Sequence, residues 1–224
     1  LWWGMQGRSS SVFWKRIFPW TWILDPGAYR DQEKHRGPPD LQQPSGESQS
    51  PGAAFIGKME ADAVYVADVG QNQLWSADNY VMKNGRFLTT GGMGTMGYSI
   101  PAAIGAKMCR PEAQVVAVCG DGSFQMSMYE LGTIAVNRLP LKILVVQNEF
   151  LGLVREHQEK TYDGHYFGVQ LYDYPRYDKI AEAYDMEYFS CNSNEDLDQV
   201  LDGFLACDRA CIMVCRVDSA NNTK

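Results

Sequence analysis

The sequence lacks a surplus of basic residues and lacks a long apolar run. It has 20 Lys and Arg against 27 Asp and Glu, a formal net charge of −7, so little positive charge is present to neutralise a nucleic-acid backbone. No stretch reaches the roughly 18 uncharged apolar residues of a membrane-spanning helix; the best candidate, residues 12–24, contains Lys15, Arg16 and Pro19. We expect no nucleic-acid partner and no membrane span. No signal-peptide cleavage site follows that stretch, which favours a cytoplasmic location.

Histidine is scarce, and the cysteines do not form ligand pairs. The sequence has only 3 His and 6 Cys, and no paired C-x-x-C set of the kind that holds structural zinc is present. Most of the cysteines lie within apolar runs, which indicates reduced core thiols rather than disulfides. They are Cys109, Cys119, Cys191, Cys207, Cys211 and Cys215.

The chain divides into two parts of different composition. Residues 1–52 hold five of the six Trp and six of the ten Pro without a helical or strand period, and residues 26–52 are rich in Pro, Gly and Ser. We predict an irregular or disordered segment there. The sequence begins with Leu1 rather than Met, which suggests a fragment or a misjoined reading frame, so that residues 1–52 need not be native coding sequence. Residues 53–224 form the predicted domain.

Strand and helix patterns alternate from residue 53 onward. Strands are predicted over 63–70, 86–90, 115–119, 141–146, 187–191 and 211–217. Helices are predicted over 72–82, 99–108, 126–138, 177–184 and 194–207, the last capped by Asn194. This alternation predicts an α/β fold: a doubly wound, mainly parallel sheet of about six strands with helices on both faces. Ligands of such sheets bind at the carboxyl ends of the strands.

Glycines and short polar residues follow four successive predicted strands. These strand ends are residues 68–72, 91–97, 120–123 and 147–152. Glycines let a backbone approach a phosphate closely, and the amides that start a helix can point at its oxygen atoms. Asp121 and Asn148 add hard oxygen ligands. Two such ligands form only part of a shell, which is how Mg²⁺ is usually held when phosphate and water complete it.

Other interpretations of these strand ends remain open at this point. A lone G-D-G is typical of a plain turn, and residues 91–97 also fit a flexible connection. A Rossmann dinucleotide site fits poorly, because no G-x-G-x-x-G follows the strand at 63–69. Residues 92–97 match that pattern, but no acidic residue ends a next strand some 20 residues on.

Four motifs resemble one known family. "GDGSFQM" (120–126) followed by "QNEFLG" (147–152) is similar to the signature of thiamine diphosphate enzymes, with Gln147 in place of the first Asn of the usual pair. "VADVGQNQLWSA", "GGMGTMGYSIPAAIGAK", "VCGDGSFQMSMYEL" and "QNEFLGLVREHQE" more narrowly resemble the C-terminal, diphosphate-binding module of the acetolactate (acetohydroxyacid) synthase catalytic subunit. The resemblance covers about 53–217.

The resemblance implies a set of site residues. Asp121 and Asn148 would be side-chain Mg²⁺ ligands, and the backbone carbonyl of Phe150 a third. The residues implied to contact the diphosphate are Gly122 and Ser123, helped by Val69, Gly70, Gln71 and Asn72. The family usually has His where Asn72 stands, so that contact is expected to be altered.

The resemblance also implies contacts to the rest of the cofactor. Gly94 and Met96 would fix the aminopyrimidine ring, with Met96 bending the cofactor into a V shape. Gly152 and Leu153 match a Gly-Met pair that follows the metal loop in the family. His157 stands where many members have Trp, on a helix that lines the substrate channel, and we expect a wall residue there rather than a base.

The implied function is thiamine diphosphate- and Mg²⁺-dependent transferase chemistry in branched-chain amino acid biosynthesis, in which pyruvate is decarboxylated and condensed with a second 2-keto acid. In the family the activating Glu lies on an amino-terminal module of a partner subunit, and a middle domain holds FAD. We therefore predict no catalytic side chain in this sequence and no turnover by it alone. A homodimer or tetramer through the missing modules is expected, with a possible regulatory subunit. The alternatives are another thiamine diphosphate-dependent 2-keto acid decarboxylase or carboligase, a non-catalytic fragment, or a flavodoxin-like phosphate-binding domain.

Overall fold

Six parallel strands form the centre of the computed structural model, which describes residues 51–81, 83–171, 175–193, 195–217 and 223. The strands are β1 (Val64–Ala67), β2 (Arg86–Leu88), β3 (Val115–Gly120), β4 (Lys142–Gln147), β5 (Glu187–Cys191) and β6 (Cys211–Arg216). Their order across the sheet is β2-β1-β3-β4-β6-β5, and every neighbouring pair is parallel. The predicted fold class is confirmed. The prediction of an irregular segment falls almost wholly on residues 1–50, which lie outside the described residues.

Helices connect the strands. They are α1 (Pro51–Lys58), α2 (Gln71–Asn79), α3 (Ser99–Cys109), α4 (Asp121–Ser127), α5 (Leu131–Asn137), α6 (Gly152–Thr161), α7 (Tyr177–Ala183) and α8 (Leu197–Ala206), with a 3₁₀ turn (Met128–Glu130) between α4 and α5. In the part of the chain that the structure describes, no helix is long and apolar enough to cross a membrane.

The two faces of the sheet carry separate apolar cores. Val66, Ala117 and Val145 point to one face, where helices α3, α4, α5 and α7 cover them. Tyr65, Val118 and Leu144 point to the other, where α1 and α8 pack. Alternate strand residues are therefore buried on both sides, which explains why the central strands are nearly continuous apolar runs. All six cysteines are free thiols.

The helix predicted over 126–138 is wrong at its start and in its continuity. Helix α4 begins at Asp121, directly after β3, so Asp121 and Gly122 of the G-D-G stretch belong to the first helical turn, and Gly120 ends the strand. Gly and Asp have low helix propensity, which hid this turn from the sequence pattern. The helix breaks where Ser127 leaves helical geometry, with φ −127° and ψ 12°. Its hydroxyl donates to the Ser123 carbonyl at 3.4 Å, a local bond that competes with regular helix.

Other element bounds differ by smaller amounts. Helix α1, which the sequence pattern did not predict, includes Pro51 and Gly52. The helix predicted over 72–82 spans Gln71–Asn79 and ends where Tyr80 turns extended. The predicted cap Asn194 lies outside the described residues, and α8 follows Asp196.

The chain reverses direction across the sheet next to β1. It leaves β1 for β2 on one side and returns to β3 on the other. Such a reversal separates the connections that follow β1 and β3 and opens a crevice at their carboxyl ends. The strand ends predicted to face one crevice therefore lie around this point.

Candidate functional site

An open cleft lies at the carboxyl ends of β1, β3 and β4. Its lining includes every predicted cofactor or metal residue except Gly94. These are Val69, Gly70, Gln71, Asn72, Met96, Asp121, Gly122, Ser123, Asn148, Phe150, Gly152 and Leu153. Trp75, Leu151 and Val154 also line it, and the sequence analysis gave them no role.

Asp121, the first residue of α4, presents a buried carboxylate. Its Oδ1 accepts from the Gly122 amide at 3.0 Å and its Oδ2 from the Glu149 amide at 2.7 Å. Burial raises the pKa of the Asp121 carboxyl to about 6, and these amide bonds only partly oppose that rise. Within the described ranges Asp121 forms no ion pair with Lys, Arg or His. A bound cation would therefore favour its ionised form.

Asn148 follows β4 and faces the same cleft. Its Oδ1 accepts from the Phe150 amide at 3.0 Å, and its Nδ2 donates to Gln71 Oε1 at 2.7 Å. Glu149, which lies between Asn148 and Phe150 in the sequence, adopts a left-handed conformation, with φ 64°. The backbone of residues 149–151 then forms hydrogen bonds with residues 169–171. That pairing uses the Leu151 amide and the Glu149 carbonyl, and leaves the Phe150 carbonyl outside it.

Asn72 is buried on α2 with its side-chain donor already in use. Its Nδ2 donates to the carbonyl of Asp68 at 3.0 Å and to that of Val118 at 3.3 Å. The side-chain amide of Asn72 thus links α2 to the ends of β1 and β3, and both of its N–H groups are already used. The expected altered contact of Asn72 with the diphosphate stays a prediction. Ser123 makes a similar tie, because its hydroxyl donates to the Val69 carbonyl at 3.2 Å.

Gly122 and Met96 meet at the apolar wall of the cleft. A Cβ added at Gly122 would lie 2.9 Å from Leu151 Cδ2 and 3.2 Å from Met96 Cε, so these side chains close over the backbone of α4. Met96 lines the cleft, and its assigned role in bending the cofactor stays a prediction. Gly94 lies in the exposed part of the loop at 91–97, and its assigned contact with the aminopyrimidine stays a prediction.

Asp68 is a structural anchor that the sequence analysis placed at a strand end without a role. It is fully buried, and its Oδ1 accepts from the amides of Val69 at 2.8 Å and Gly97 at 2.9 Å. Its Oδ2 accepts from the Ser99 amide at 2.7 Å. One carboxylate therefore fixes the Gly-rich loop and the start of α3 to the end of β1. The sequence feature that could have indicated this role is an acidic residue directly after an apolar strand.

Glu156, His157 and Gln147 differ in burial and in their hydrogen-bond partners. Glu156 on α6 is a buried carboxylate that accepts from Gln71 Nε2 at 2.6 Å, and no sequence pattern pointed to it. His157 is exposed and contacts the Tyr162 ring at 5.8 Å between centroids, away from the residues that line the cleft. Gln147 is buried, and its Nε2 has no hydrogen-bond partner among the described residues.

The described residues contain no group of three or more His, Cys, Asp and Glu that could hold a metal ion. The cleft instead offers one carboxylate, one amide oxygen and one backbone carbonyl. A divalent cation there would need further oxygen atoms from outside this set.

The family model for the thiamine pyrophosphate enzyme C-terminal TPP binding domain matches residues 68–215. The chain belongs to this family. The match decides against the Rossmann and flavodoxin-like alternatives, and the matched range contains every residue that lines the cleft.

Curated relatives of this thiamine pyrophosphate-binding domain include acetolactate synthases. The chain is 37% identical over 166 residues to the acetolactate synthase large subunit of Porphyra purpurea, an alignment that covers 74% of this chain and 28% of that protein. It is 36% identical over 163 residues to the isozyme 2 large subunit of Escherichia coli, covering 72% and 30%. With the Mycobacterium avium enzyme it shares 44% identity over 145 residues, covering 62% and 23%. The chain thus spans less than a third of the length of these relatives.

Proposed function

We propose that the cleft binds the diphosphate of thiamine diphosphate through Mg²⁺, held by the side chains of Asp121 and Asn148 and the backbone carbonyl of Phe150. The observation that carries this proposal is the buried Asp121 carboxylate, which has no cationic partner among the described residues. Burying a carboxylate without a counter-charge is unfavourable. A divalent cation shared with the diphosphate would remove that penalty.

The three donors fit a magnesium ion in type and number. All are hard oxygen atoms, and Mg²⁺ typically takes one or two carboxylates with substrate phosphates and water. The backbone around them is also suited to an anion. Gly122 carries no side chain, and the atoms nearest the place of its absent Cβ are the flexible side-chain ends of Leu151, Met96 and Leu171. The amides of Gly122 and Ser123 and the residues 69–71 would then hold the diphosphate.

Apolar side chains would enclose the remainder of the cofactor. Met96 and Leu153 line the cleft beside Leu151, and they would orient the rings and exclude water. When bound, thiamine diphosphate supplies the reactive carbon centre for cleaving a carbon–carbon bond next to a keto group. The chain's own residues would bind and orient that group, and no described side chain need act as acid or base.

We further propose that the chain is one module of an acetolactate synthase-like transferase that condenses pyruvate with a second 2-keto acid. The acetolactate synthase relatives support this reaction, and the share of their length that the chain spans supports the view that the rest of the site lies on other modules. FAD, the activating Glu and subunit contacts would all belong to those modules. The chain would hold cofactor and would not turn over by itself.

Complementation tests this function. The chain is mixed with separately produced amino-terminal and middle modules of an acetolactate synthase relative, and acetolactate formation from pyruvate is measured. We expect no product from either part alone and product from the mixture, lost again when the chain carries Asp121→Ala. Turnover by the chain alone contradicts the proposal that the rest of the active site lies on other modules. A folded mixture that binds the cofactor but converts a 2-keto acid into a product other than acetolactate supports the alternative decarboxylase or carboligase function.

A further inference from the structure

A continuous row of side chains connects the interior of α6 to the candidate metal ligand Asn148. Glu156 Oε1 accepts from Gln71 Nε2 at 2.6 Å. Gln71 Oε1 in turn accepts from Asn148 Nδ2 at 2.7 Å. Gln71 is buried at the first position of α2, so this two-bond row crosses from the α6 helix to the loop after β4 within the protein.

The row has a direction that the carboxylate sets. An ionised carboxylate only accepts hydrogen bonds, whereas an amide side chain can present either its oxygen or its nitrogen. Glu156 therefore requires the nitrogen of Gln71, which leaves the oxygen of Gln71 facing Asn148. That oxygen requires the nitrogen of Asn148, so the Asn148 oxygen must face the other way, toward the Phe150 amide and the cleft.

Glu156 is held on its outer side by the end of the chain. Its Oε1 accepts from the Thr223 amide at 2.6 Å and its Oε2 from the Thr223 hydroxyl at 2.7 Å, and Lys160 Nζ lies 3.5 Å away. Burial raises the pKa of Glu156, but the bonds from Thr223 and Gln71 and the charge of Lys160 outweigh it and lower the pKa below its ordinary value. The carboxylate is thus ionised at neutral pH, as its acceptor role requires.

Gly152 makes room for this row. A Cβ added at Gly152 would lie 2.0 Å from Gln71 Oε1 and 2.3 Å from its Cδ. No side chain fits there while Gln71 spans from Glu156 to Asn148. The absence of a side chain at Gly152, the first residue of the predicted Gly-Leu pair, therefore leaves space for the Gln71 side chain.

We propose that Glu156 is a positioning residue for the metal site, acting through Gln71 to hold the Asn148 amide with its oxygen toward the cation. The proposal rests on the function proposed above, in which Asn148 is a magnesium ligand. Without the carboxylate, Gln71 could invert its amide, so that its nitrogen faces the Asn148 nitrogen. Of the two described bonds that orient the Asn148 amide, only the one from the Phe150 amide would then remain, and the oxygen would be held less firmly toward the cation.

Two substitutions and one control test the proposal on the full chain. Glu156→Leu keeps most of the volume and removes the acceptor. Glu156→Gln keeps the shape and one acceptor oxygen, but its own amide can also donate, so it no longer requires the Gln71 amide to present its nitrogen. Glu159→Gln, at an exposed position on the same helix, loses the same charge without touching Gln71. Far-UV circular dichroism and thermal melting establish that each variant is folded.

The first readout needs no cofactor. In ¹H–¹⁵N spectra of the metal-free chain, we expect the side-chain amide signals of Gln71 and Asn148 to move in Glu156→Leu and to stay in place in Glu159→Gln. The second readout is calorimetric affinity for Mg²⁺ in the presence of thiamine diphosphate. We expect a loss of roughly 10-fold or more for Glu156→Leu, a smaller loss for Glu156→Gln and none for the control.

The outcomes separate this inference from the function on which it rests. A wild-type chain without Mg²⁺-dependent binding overturns the proposed function, and the amide spectra still decide whether Glu156 orients Asn148. Wild-type binding that a folded Glu156→Leu chain retains at full affinity overturns the positioning role. If the Leu variant does not fold, Glu156→Gln carries the test, and unchanged Asn148 signals with unchanged Mg²⁺ affinity overturn the role equally.

Discussion

The Asp121 carboxylate accepts a 2.7 Å hydrogen bond from the Glu149 amide, 28 residues further along the chain. This bond joins the first residue of α4 to the loop after β4, next to the second candidate ligand, Asn148. The start of α4 and that loop are therefore fixed relative to each other without a cation. A site of this kind is organised before its ligand arrives, which reduces the ordering cost of binding.

The stability of the metal-free chain should depend on pH through Asp121. Burial raises the pKa of this carboxyl from 3.8 to about 6, so the unfolded chain loses the proton near pH 4 while the folded chain keeps it to about pH 6. The contribution of Asp121 to the free energy of unfolding falls over that interval and stays low above it. Asp121→Asn should remove the fall. Relative to wild type, its free energy of unfolding should rise by roughly 2–3 kcal/mol between pH 4 and 7.

Urea denaturation at each pH measures this difference. Because the comparison is between pH values, the pH-independent loss of amide hydrogen bonds in the variant cancels. Asp208→Asn, at an exposed position, controls for the removal of one carboxylate. If the free energies of unfolding of Asp121→Asn and wild type differ by the same amount at every pH, burial does not destabilise the ionised carboxylate of Asp121.

Replacement of Gly152 by Ala should damage the site more than its size suggests. The added Cβ would lie 2.0 Å from Gln71 Oε1, so Gln71 must withdraw from Asn148. We expect a destabilisation of roughly 1–3 kcal/mol together with a loss of Mg²⁺-dependent thiamine diphosphate binding, measured by thermal melting and calorimetry.

Gly105 offers a matched control for that substitution. It lies in α3 with nothing within 4 Å of an added Cβ, so Gly105→Ala should leave binding intact and stabilise the helix by roughly 0.5–1 kcal/mol. Equal binding by the two variants would contradict the described packing of Gly152 against Gln71.

Asp68→Asn should loosen the Gly-rich loop. Both oxygens of Asp68 accept from backbone amides, so an amide nitrogen in place of either would face a donor, at a cost of roughly 1–3 kcal/mol. Hydrogen exchange should quicken at the amides of Gly97 and Ser99 more than at amides of the central strands. Unchanged exchange at those two amides would show that Asp68 does not anchor the loop.

The sheet and the cleft were predictable because their signals are local. The strands β1, β3 and β4 are short, largely apolar runs followed by Gly or a short polar residue, and parallel topology brings such ends together. Asp121, Asn148 and Met96 could therefore be placed in one crevice before any contact was known. The direction of the strands followed from the helices between them.

Contacts between distant side chains could not be predicted in the same way. The bond from Gln71 to Glu156 joins residues 85 positions apart, and nothing in the local pattern of α6 distinguishes Glu156 from its exposed neighbour Glu159. The three amides that meet Asp68 belong to two separate loops. These features arise from tertiary packing.

Calorimetric titration of thiamine diphosphate into the purified chain tests the central claim, that this cleft binds the cofactor through a divalent cation. The titration is made first with Mg²⁺ and then with excess EDTA, and is repeated with Asp121→Ala. We expect saturable binding with Mg²⁺, no binding with EDTA, and loss of the Mg²⁺-dependent heat in the variant. A folded chain that does not bind with Mg²⁺, or that binds equally well in EDTA, would contradict the assignment of Asp121 and Asn148 as metal ligands.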